Sequence, residues 1–542
     1  MASAPGRPRR PRGRPVPWLV VAVFPLDDPP GPQEAAVAAL LTVPPVADEL
    51  GRLFADAGFS LHLVGGSVRD LLLGRADATA DLDFTTDARP DDVLRVTKRW
   101  AQGIWDAGIR FGTVGVIRNG QRLEITTYRS EQYDADSRNP DVSFGDTLSG
   151  DLVRRDFTIN AMAVSVPGHV FVDPGTGLAD LARGVLRTPA APRDSFTDDP
   201  LRMLRAARFV SQLPGFTLDP DVRAVMPELA ERLRIVAPER VRDELTKLLL
   251  GADPVAGLEV MVDAGLAAQV LPELPALRLE RDEHARHKDV YAHTLQVLRQ
   301  AIERETAGPD LVLRLAALLH DIGKPATRRI DPRSRRVSFH HHDETGARLA
   351  RKRLTALRFP KALIDEVVGL VALHLRFYGY VDTMAAGPEP VADPAANGRR
   401  RDAWSDSAVR RYVHDAGPLL DRLHLLVRSD CTTRNQKKAA RLAAAYDDLE
   451  RRIARLGEQE ELARMRPDLD GNDIQGVLQV GPGRLVGEAR QFLLDLRIDE
   501  GPLGDTAALH RLVAWARERG VEVPDGAEER LAAIRGAAAD GG

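Results

Sequence analysis

LHLVGGSVRD (61–70), with DLDFTTD (81–87) just downstream, is the stretch on which the reading of this chain turns. The apolar start predicts a strand that runs through Gly65-Gly66 into a helix start. Two glycines after a strand let backbone approach a phosphate closely, and a helix start offers unpaired N–H groups. Ser67 adds a hydroxyl. A Gly-Gly turn alone is common and decides little, but Asp81 and Asp83 change its meaning. Residues two apart on a strand share a face, so both carboxylates aim at one point. Like charges that close are costly unless a cation sits between them, and carboxylates select hard cations such as Mg²⁺. A lone D-x-D reads as a solvated strand edge. After a phosphate turn it reads as a two-metal phosphoryl-transfer site.

Outward from this core the pattern stays mixed. Val46, Leu50, Leu53 and Phe54 recur at three- and four-residue spacing, which predicts a helix before the first strand. Residues 109–130 read as two strands joined at Asn119-Gly120, a strong hairpin signal. Glu124, on the later strand, is either a third acidic contributor or an exposed strand residue. From about 195 onward strands nearly vanish, and 202–210, 237–250, 311–319 and most of 405–465 are helix-patterned. Residues 382–403, rich in Pro, Gly and Ala, read as a flexible insertion.

The net charge of −4, with 44% apolar and 28% charged residues, is the balance of a soluble globular protein of three or four packed units. It announces no nucleic-acid partner, although a local basic face can coexist with an acidic remainder. Cys431 is the only cysteine, which excludes a disulfide framework and fits a reducing cytoplasm. The basic 7–14 and the apolar Trp18–Phe24 have the outline of a signal peptide, but prolines bracket a short run. Residues 1–33 are read as a disordered leader or a start placed too early, and no stretch is long enough to cross a membrane.

Three further clusters carry charge in unusual density. In RRDFTINAMA (154–163), Arg154 and Arg155 can neutralise a triphosphate and Asp156 can accept from a ribose hydroxyl; Asn160 either bonds the sugar or holds the loop. In DDPLRMLRAARF (198–209), Asp198, Asp199, Arg202, Arg205 and Arg208 fall at three- and four-residue steps on one helical face, otherwise a row of surface ion pairs. In APERVRDEL (237–245), Arg240 and Glu244 stand one turn apart, an ordinary helix pair.

In order and spacing these five clusters resemble the motifs of the class II CCA-adding enzyme and bacterial poly(A) polymerase family, from about residue 45 to the tail. The resemblance implies an α+β chain with a polymerase-β-like nucleotidyltransferase head and small mixed sheet, then an all-α neck, body and tail. It implies that Asp81 and Asp83 hold the catalytic metals and that Arg154 and Asp156 contact the incoming nucleotide, with Gly65, Gly66, Ser67, Arg69 and Asn160 in the same nucleotide-binding set. Asp199 and Arg202 would read the base, with Arg205 in support, and 235–245 would stiffen the neck. The family's usual Glu-Asp is Asp198-Asp199 here.

A second constellation lies further on. His293, His320-Asp321, His342, His374 and Asp430 offer imidazole and carboxylate ligands that suit a transition metal or Mn²⁺. Adjacent His-Asp ending an apolar helix needs a reason, since charge there is costly. The set His293, His320, Asp321 and Asp430 resembles the HD-domain pattern, with His342 and His374 as additional ligands. Of His340, His341 and His342, the following D-x-x-G-A favours His342.

The expected organisation is a 1–33 leader, a 34–190 head, a 191–275 neck that recognises the base, a 276–440 HD-type body and a 441–542 helical RNA-binding tail. In that tail VGPGRLVG (480–487) either meets RNA phosphates or simply connects helices. The expected function is addition of C, C and A to tRNA 3′ ends from CTP and ATP with Mg²⁺, with phosphohydrolase activity in the HD-type body. Poly(A) addition, partial CC- or A-addition, and a metal phosphohydrolase whose head only binds nucleotide or RNA are the rivals. The segment 133–144 resembles the flexible loop of full CCA enzymes and favours the complete activity.

Overall fold

A computed structural model describes Val37 and residues 41–75, 81–106, 108–132, 141–145, 147–278, 289–333, 337–385, 404–433, 435–460 and 467–539. The leader 1–33, most of the 133–144 loop and most of the 382–403 insertion lie outside the described residues. The chain divides into two compact units, Met1–Pro275 and Ala276–Gly542.

The first unit begins with helix α1 (Pro45–Asp56), which buries Val46, Ala47, Leu50 and Phe54 along one stripe. Strand β1 (Leu61–Val64) follows, with Leu61, Leu63 and Val64 in the core. The chain then turns at Gly65, whose φ of 72° is open to glycine at little cost, and enters the short helix α2 (Gly66–Leu72). Strand β2 (Leu82–Thr86), helix α3 (Pro90–Thr97) and strands β3 (Gly103–Trp105), β4 (Thr113–Arg118) and β5 (Gln121–Thr127) come next. Asn119 and Gly120 both have positive φ (52° and 77°), the backbone of a two-residue turn that matches strand twist. The first hairpin strand starts later than the 109–130 reading because Ile109–Phe111 forms a 3₁₀ turn ending at Gly112, φ 79°.

A small hairpin of β6 (Arg129–Gln132) and β7 (Asp141–Phe144) precedes β8 (Ala163–Ser165) and β9 (Phe171–Val172). The main sheet runs β3-β4-β5-β2-β1-β8-β9. It is mixed: β2 pairs with β5 in parallel, while β1 is antiparallel to both β2 and β8. The carboxylate strand β2 is therefore central, with the Gly65 turn on one side and the hairpin on the other.

Helix α4 (Leu201–Gln212) then packs against α5 (Pro238–Leu249) and α6 (Pro254–Asp263). In the second unit, α8 (Leu311–Leu319) is apolar nearly all round and every residue from Val312 is buried. It is surrounded by α7 (Val290–Arg304), α10 (Lys361–Leu373) and α11 (Leu420–Asp430), with α9 (His342–Ala356) against α10. Arg314 tolerates that setting because buried Glu305 accepts two of its hydrogen bonds, at 2.8 and 2.6 Å. Four C-terminal helices, between Gly471 and Ala539, close over Ile474, Val477, Leu493, Leu512 and Trp515. No helix among the described residues is long and apolar enough to cross a membrane.

Candidate active site and metal centre

Asp83, half-buried on β2, stands in register with Glu124 on β5, and Asp81 lies just ahead of the strand. On the other flank the Gly65 turn closes in: a Cβ there would lie 3.2 Å from an Arg155 Nη and 3.5 Å from Asp83 Oδ2. The Asp83 backbone N–H donates to Ser67 Oγ at 3.3 Å, so the turn is tied to the carboxylate strand. Burial pushes the Asp83 carboxyl up to about 6; Arg155 opposes that shift, while Glu124 and Asp81 add to it. Asp83 thus has Glu124 in register beside it and the charge of Asp81 near it, and carboxylates are the donors a hard cation prefers.

Arg154 and Arg155 are held by a carboxylate the sequence reading missed. Asp151, fully buried, accepts from Arg154 at 3.0 Å and from Arg155 at 3.1 Å, and also from Thr85 of β2 at 3.1 Å. Asp156 is buried as well. Its oxygens accept from Arg205 Nε at 2.7 Å, Asn160 Nδ2 at 3.0 Å and the Phe157 N–H at 2.8 Å. Burial works against this charge, but Arg205 and Asn160 hold its carboxyl far below the usual range. Asp156 thus anchors a network in this structure, and Asn160 holds the loop while accepting from Arg69 at 2.8 Å. Arg208, Arg69 and Arg205 crowd around Phe209, with guanidinium carbons 4.3, 5.3 and 5.9 Å from the ring centroid. Burial, then neighbouring Arg205, lowers Arg208 to about 10.

Two expectations need correction. Asp198 and Asp199 do not share a helical face with Arg202, because Asp198 ends a separate helix, Pro192–Asp198. Asp199 is extended (φ −135°, ψ 99°), as a residue before proline prefers, and Pro200 follows it. Its carboxylate caps the Leu201 N–H at 3.0 Å and accepts from Arg240 at 3.0 Å, while Arg202 is buried and donates to Ser195 Oγ at 2.8 Å and to the Arg154 carbonyl at 2.5 Å. Arg240 and Glu244 likewise do not pair with each other. Glu244 turns inward to Arg208, at 3.2 Å.

In the second unit the six sequence-chosen ligands converge. Asp321 Oδ2 lies 3.3 Å from His320 Nε2 and 3.5 Å from His293 Nε2, while its Oδ1 lies 3.3 Å from His342 Nε2. Asp430 Oδ1 is 2.9 Å from His293 Nε2. Two ligand groups share Asp321: His293 with His320, and His342 with His374. Each of His320, His342 and His374 donates Nδ1–H to a carbonyl three residues upstream, at 2.8, 2.8 and 2.6 Å. That fixes the tautomer and leaves Nε2 as an acceptor, the outer-shell arrangement of metal-bound imidazole. The Nε2 atom of His374 is buried without a hydrogen-bond partner and that of His342 faces only Asp321 Oδ1, a donor set that fits a cation. Supporting residues escaped the sequence reading: Lys324 reaches Asp321 at 2.6 Å, Tyr378 donates to Asp430 at 2.6 Å, and Thr432 meets His293 Nδ1 at 2.8 Å. Lys324 had a signal, three residues past the His-Asp pair; Tyr378 and Thr432 had none.

A nucleotidyl-transfer head joined to an HD-type helical body is what this fold and these sites define. Residues 61–187 match the Poly A polymerase head domain, 215–277 the probable RNA and SrmB-binding site of polymerase A, and 290–418 the HD domain. The A-adding tRNA nucleotidyltransferase of Deinococcus radiodurans is 35% identical over 464 residues, covering 84% of this chain and 95% of that one. The chain belongs to the tRNA nucleotidyltransferase and poly(A) polymerase family. The CCA-adding enzyme of Levilactobacillus brevis is 45% identical over 212 residues, 39% of this chain and 51% of that one. Among solved structures, the Bacillus stearothermophilus CCA-adding enzyme in complex with CTP shares the fold at a TM-score of 0.58 and 24% identity, covering 88% of this chain and 99% of its own. The Thermotoga maritima CCA-adding enzyme complexed with tRNA gives 0.51 at 17% identity, over 89% and 98%.

Proposed function

We propose that this chain extends the 3′ end of tRNA without a nucleic-acid template, drawing on CTP and ATP to build CCA. The observation that carries this is Asp83 beside the Gly65–Ser67 turn and Arg155, in register with Glu124 and under the charge of Asp81. A 3′-hydroxyl oxygen bonds to the α-phosphorus of the nucleotide, the bond to pyrophosphate breaks, and the hydroxyl proton passes to water. Asp81 and Asp83 would hold Mg²⁺, which would supply charge neutralisation for the phosphoryl oxygens. Arg155 adds a fixed positive charge beside the phosphates, and the Gly65 turn lets the backbone come close to them. Positioning and charge account for most of such a barrier reduction.

The Deinococcus relative's name favours a second reading, addition of the terminal A alone. Transcripts of tRNA lacking three, two or one terminal nucleotides, given each nucleotide alone and combined, separate the two. CCA addition brings all three to one length with CTP plus ATP; A-addition extends only the transcript that already ends in CC. No extension of any transcript with Mg²⁺ and both nucleotides would sink both readings.

For the second unit we propose hydrolysis of phosphate esters at a site held by His293, His320, Asp321, His342, His374 and Asp430, with a transition metal or Mn²⁺ supplying a Lewis acid. The orphaned Nε2 atom of His374 supports this. Lys324, beside Asp321, adds a cation at the same point. We propose a cytoplasmic setting, where tRNA, CTP and ATP meet.

A further inference from the structure

The sheet registers line up Trp105 on β3, Gly115 on β4, Glu124 on β5 and Asp83 on β2 in one transverse row. Residues in such a row share a face. The other face is covered by α3 and buries Val114, Val116, Leu123 and Ile125 completely. On the row's own face Glu124 is exposed and Trp105 partly so. The indole lies directly over Gly115: a Cβ there would come within 1.8 Å of Trp105 Cε2 and 2.1 Å of Cζ2. Any side chain at 115 would lift the ring, so Gly115 is what lets it lie along the sheet. Arg122, exposed and two residues before Glu124, brings its guanidinium to 5.8 Å from the indole centroid.

Strand order gives this platform a direction. The Gly65 turn and Arg155 flank β2 from the β1 side; Glu124, Gly115 and Trp105 extend from β2 on the other. In-line displacement puts the attacking oxygen and the departing pyrophosphate on opposite sides of the phosphorus. With the triphosphate on the β1 side, the RNA end arrives over β5 and β4. At strand spacings near 4.8 Å the indole over β4 lies about 10 Å from Asp83, within reach of the last nucleotides of a strand whose 3′ hydroxyl lies at that carboxylate.

We propose that Trp105, seated on Gly115 and flanked by Arg122, is the stacking platform for the base at the 3′ end of the acceptor RNA. This rests on the nucleotidyl-transfer reading of the head. A growing end changes base after every addition, so its holder must tolerate any base. Stacking does so, because every base presents a π-face, and a neighbouring cation suits the backbone phosphate. Trp105 is a positioning residue here; it sets where the hydroxyl waits.

The test compares binding of an acceptor stem-loop ending in an intact nucleotide with one whose terminal base is removed, using the full chain, Trp105→Ala and Trp105→Phe. Trp105→Ala should bind the intact end about tenfold more weakly and the abasic end with less than a twofold change. Trp105→Phe should recover most of the loss. Gly115→Ala, which keeps the indole but lifts it, should reproduce the Trp105→Ala pattern. KM for the RNA should rise while KM for ATP at saturating RNA stays put. Equal losses on intact and abasic ends, or none, would overturn the platform even if nucleotide addition is robust. Failure of the unmodified chain to add any nucleotide, with base-dependent binding intact, would instead count against the transfer reading alone.

Discussion

Arg205, on α4, donates from Nε at 2.7 Å to the buried carboxylate of Asp156. This bond joins α4 to the 154–163 loop. Each partner has a further contact: Asp156 with Asn160, and Arg205 with Glu244 at 3.6 Å. Removing one member of a buried pair leaves the other charge uncompensated, at a cost of about 3–5 kcal/mol. Arg205→Ala should therefore lower the unfolding free energy of the first unit by that order, and Asp156→Asn by less, because the amide keeps its shape and sheds its charge. In urea unfolding the double variant should cost at least about 1 kcal/mol less than the sum of the singles. Strict additivity would mean the two groups do not act on each other.

The second unit makes a prediction about metal rather than stability. Its two ligand groups share Asp321, so purified protein loaded with Mn²⁺ should hold up to two ions per chain. His374→Ala should lose one and keep the other, while Asp321→Ala should lose both, since its two oxygens face both histidine pairs. Elemental analysis after dialysis decides this. Nucleotide addition should survive in both variants, because none of these residues lies in the head. Retention of both ions in Asp321→Ala would refute the shared-ligand arrangement.

What the sequence made legible divides along a physical line. GGSVRD and the His-Asp pair are local, whereas strand alternation places Asp83 on β2 but not Asp81, which falls just ahead of the strand. The partnership of Asp83 with Glu124 depends on strand register across a parallel pair, so Glu124 could be suspected from sequence but not placed. Asp151 reads as one more acidic residue in a short helix, and only the fold shows it gripping Arg154, Arg155 and Thr85 at once. At Asp199 the signal is Pro200, which breaks the helical spacing that otherwise joins Asp199 to Arg202. Trp105 and Gly115 lie in different strands, and nothing in their spacing brings them together.

His62 supplies a pH dependence. It sits on β1 with Nδ1 3.1 Å from the Tyr128 hydroxyl, and burial lowers its pKa to about 4, with Asp87 opposing. Unfolded, the imidazole titrates near 6.5, so between those values the unfolded chain binds more protons. Its contribution is therefore complete above pH 6.5 and is lost as pH falls toward 4. A shift of that size corresponds to about 3 kcal/mol. His62→Gln, which cannot titrate, should flatten the fall in urea midpoint of the first unit across that window. An unchanged slope would show that His62 is already protonated or solvated in the fold.

The proposed choice of C and A without a template calls for a reader of base edges. Cytosine presents its N4 amino donor beside the N3 acceptor, and adenine its N6 amino donor beside N1. A carboxylate that only accepts, next to a guanidinium that only donates, complements both, while uracil and guanine present the reverse order. We predict that Asp199 supplies the carboxylate and Arg202 the guanidinium, although in this structure each is engaged elsewhere. Arg240, on Asp199, is a largely exposed partner whose displacement costs no more than about 1 kcal/mol. Arg202 must give up Ser195 and the Arg154 carbonyl, a larger cost of about 1–3 kcal/mol that the base must replace bond for bond. Asp199→Ala and Arg202→Ala should each weaken discrimination against UTP and GTP by about 1–3 kcal/mol, with tRNA affinity changed far less. Arg240→Ala should leave the ratios alone, since it only vacates Asp199. The measurement is kcat/KM for all four nucleotides in each variant. If Arg240→Ala erases discrimination and Arg202→Ala does not, the base is read by Asp199 with Arg240, and Arg202 serves the packing of the neck.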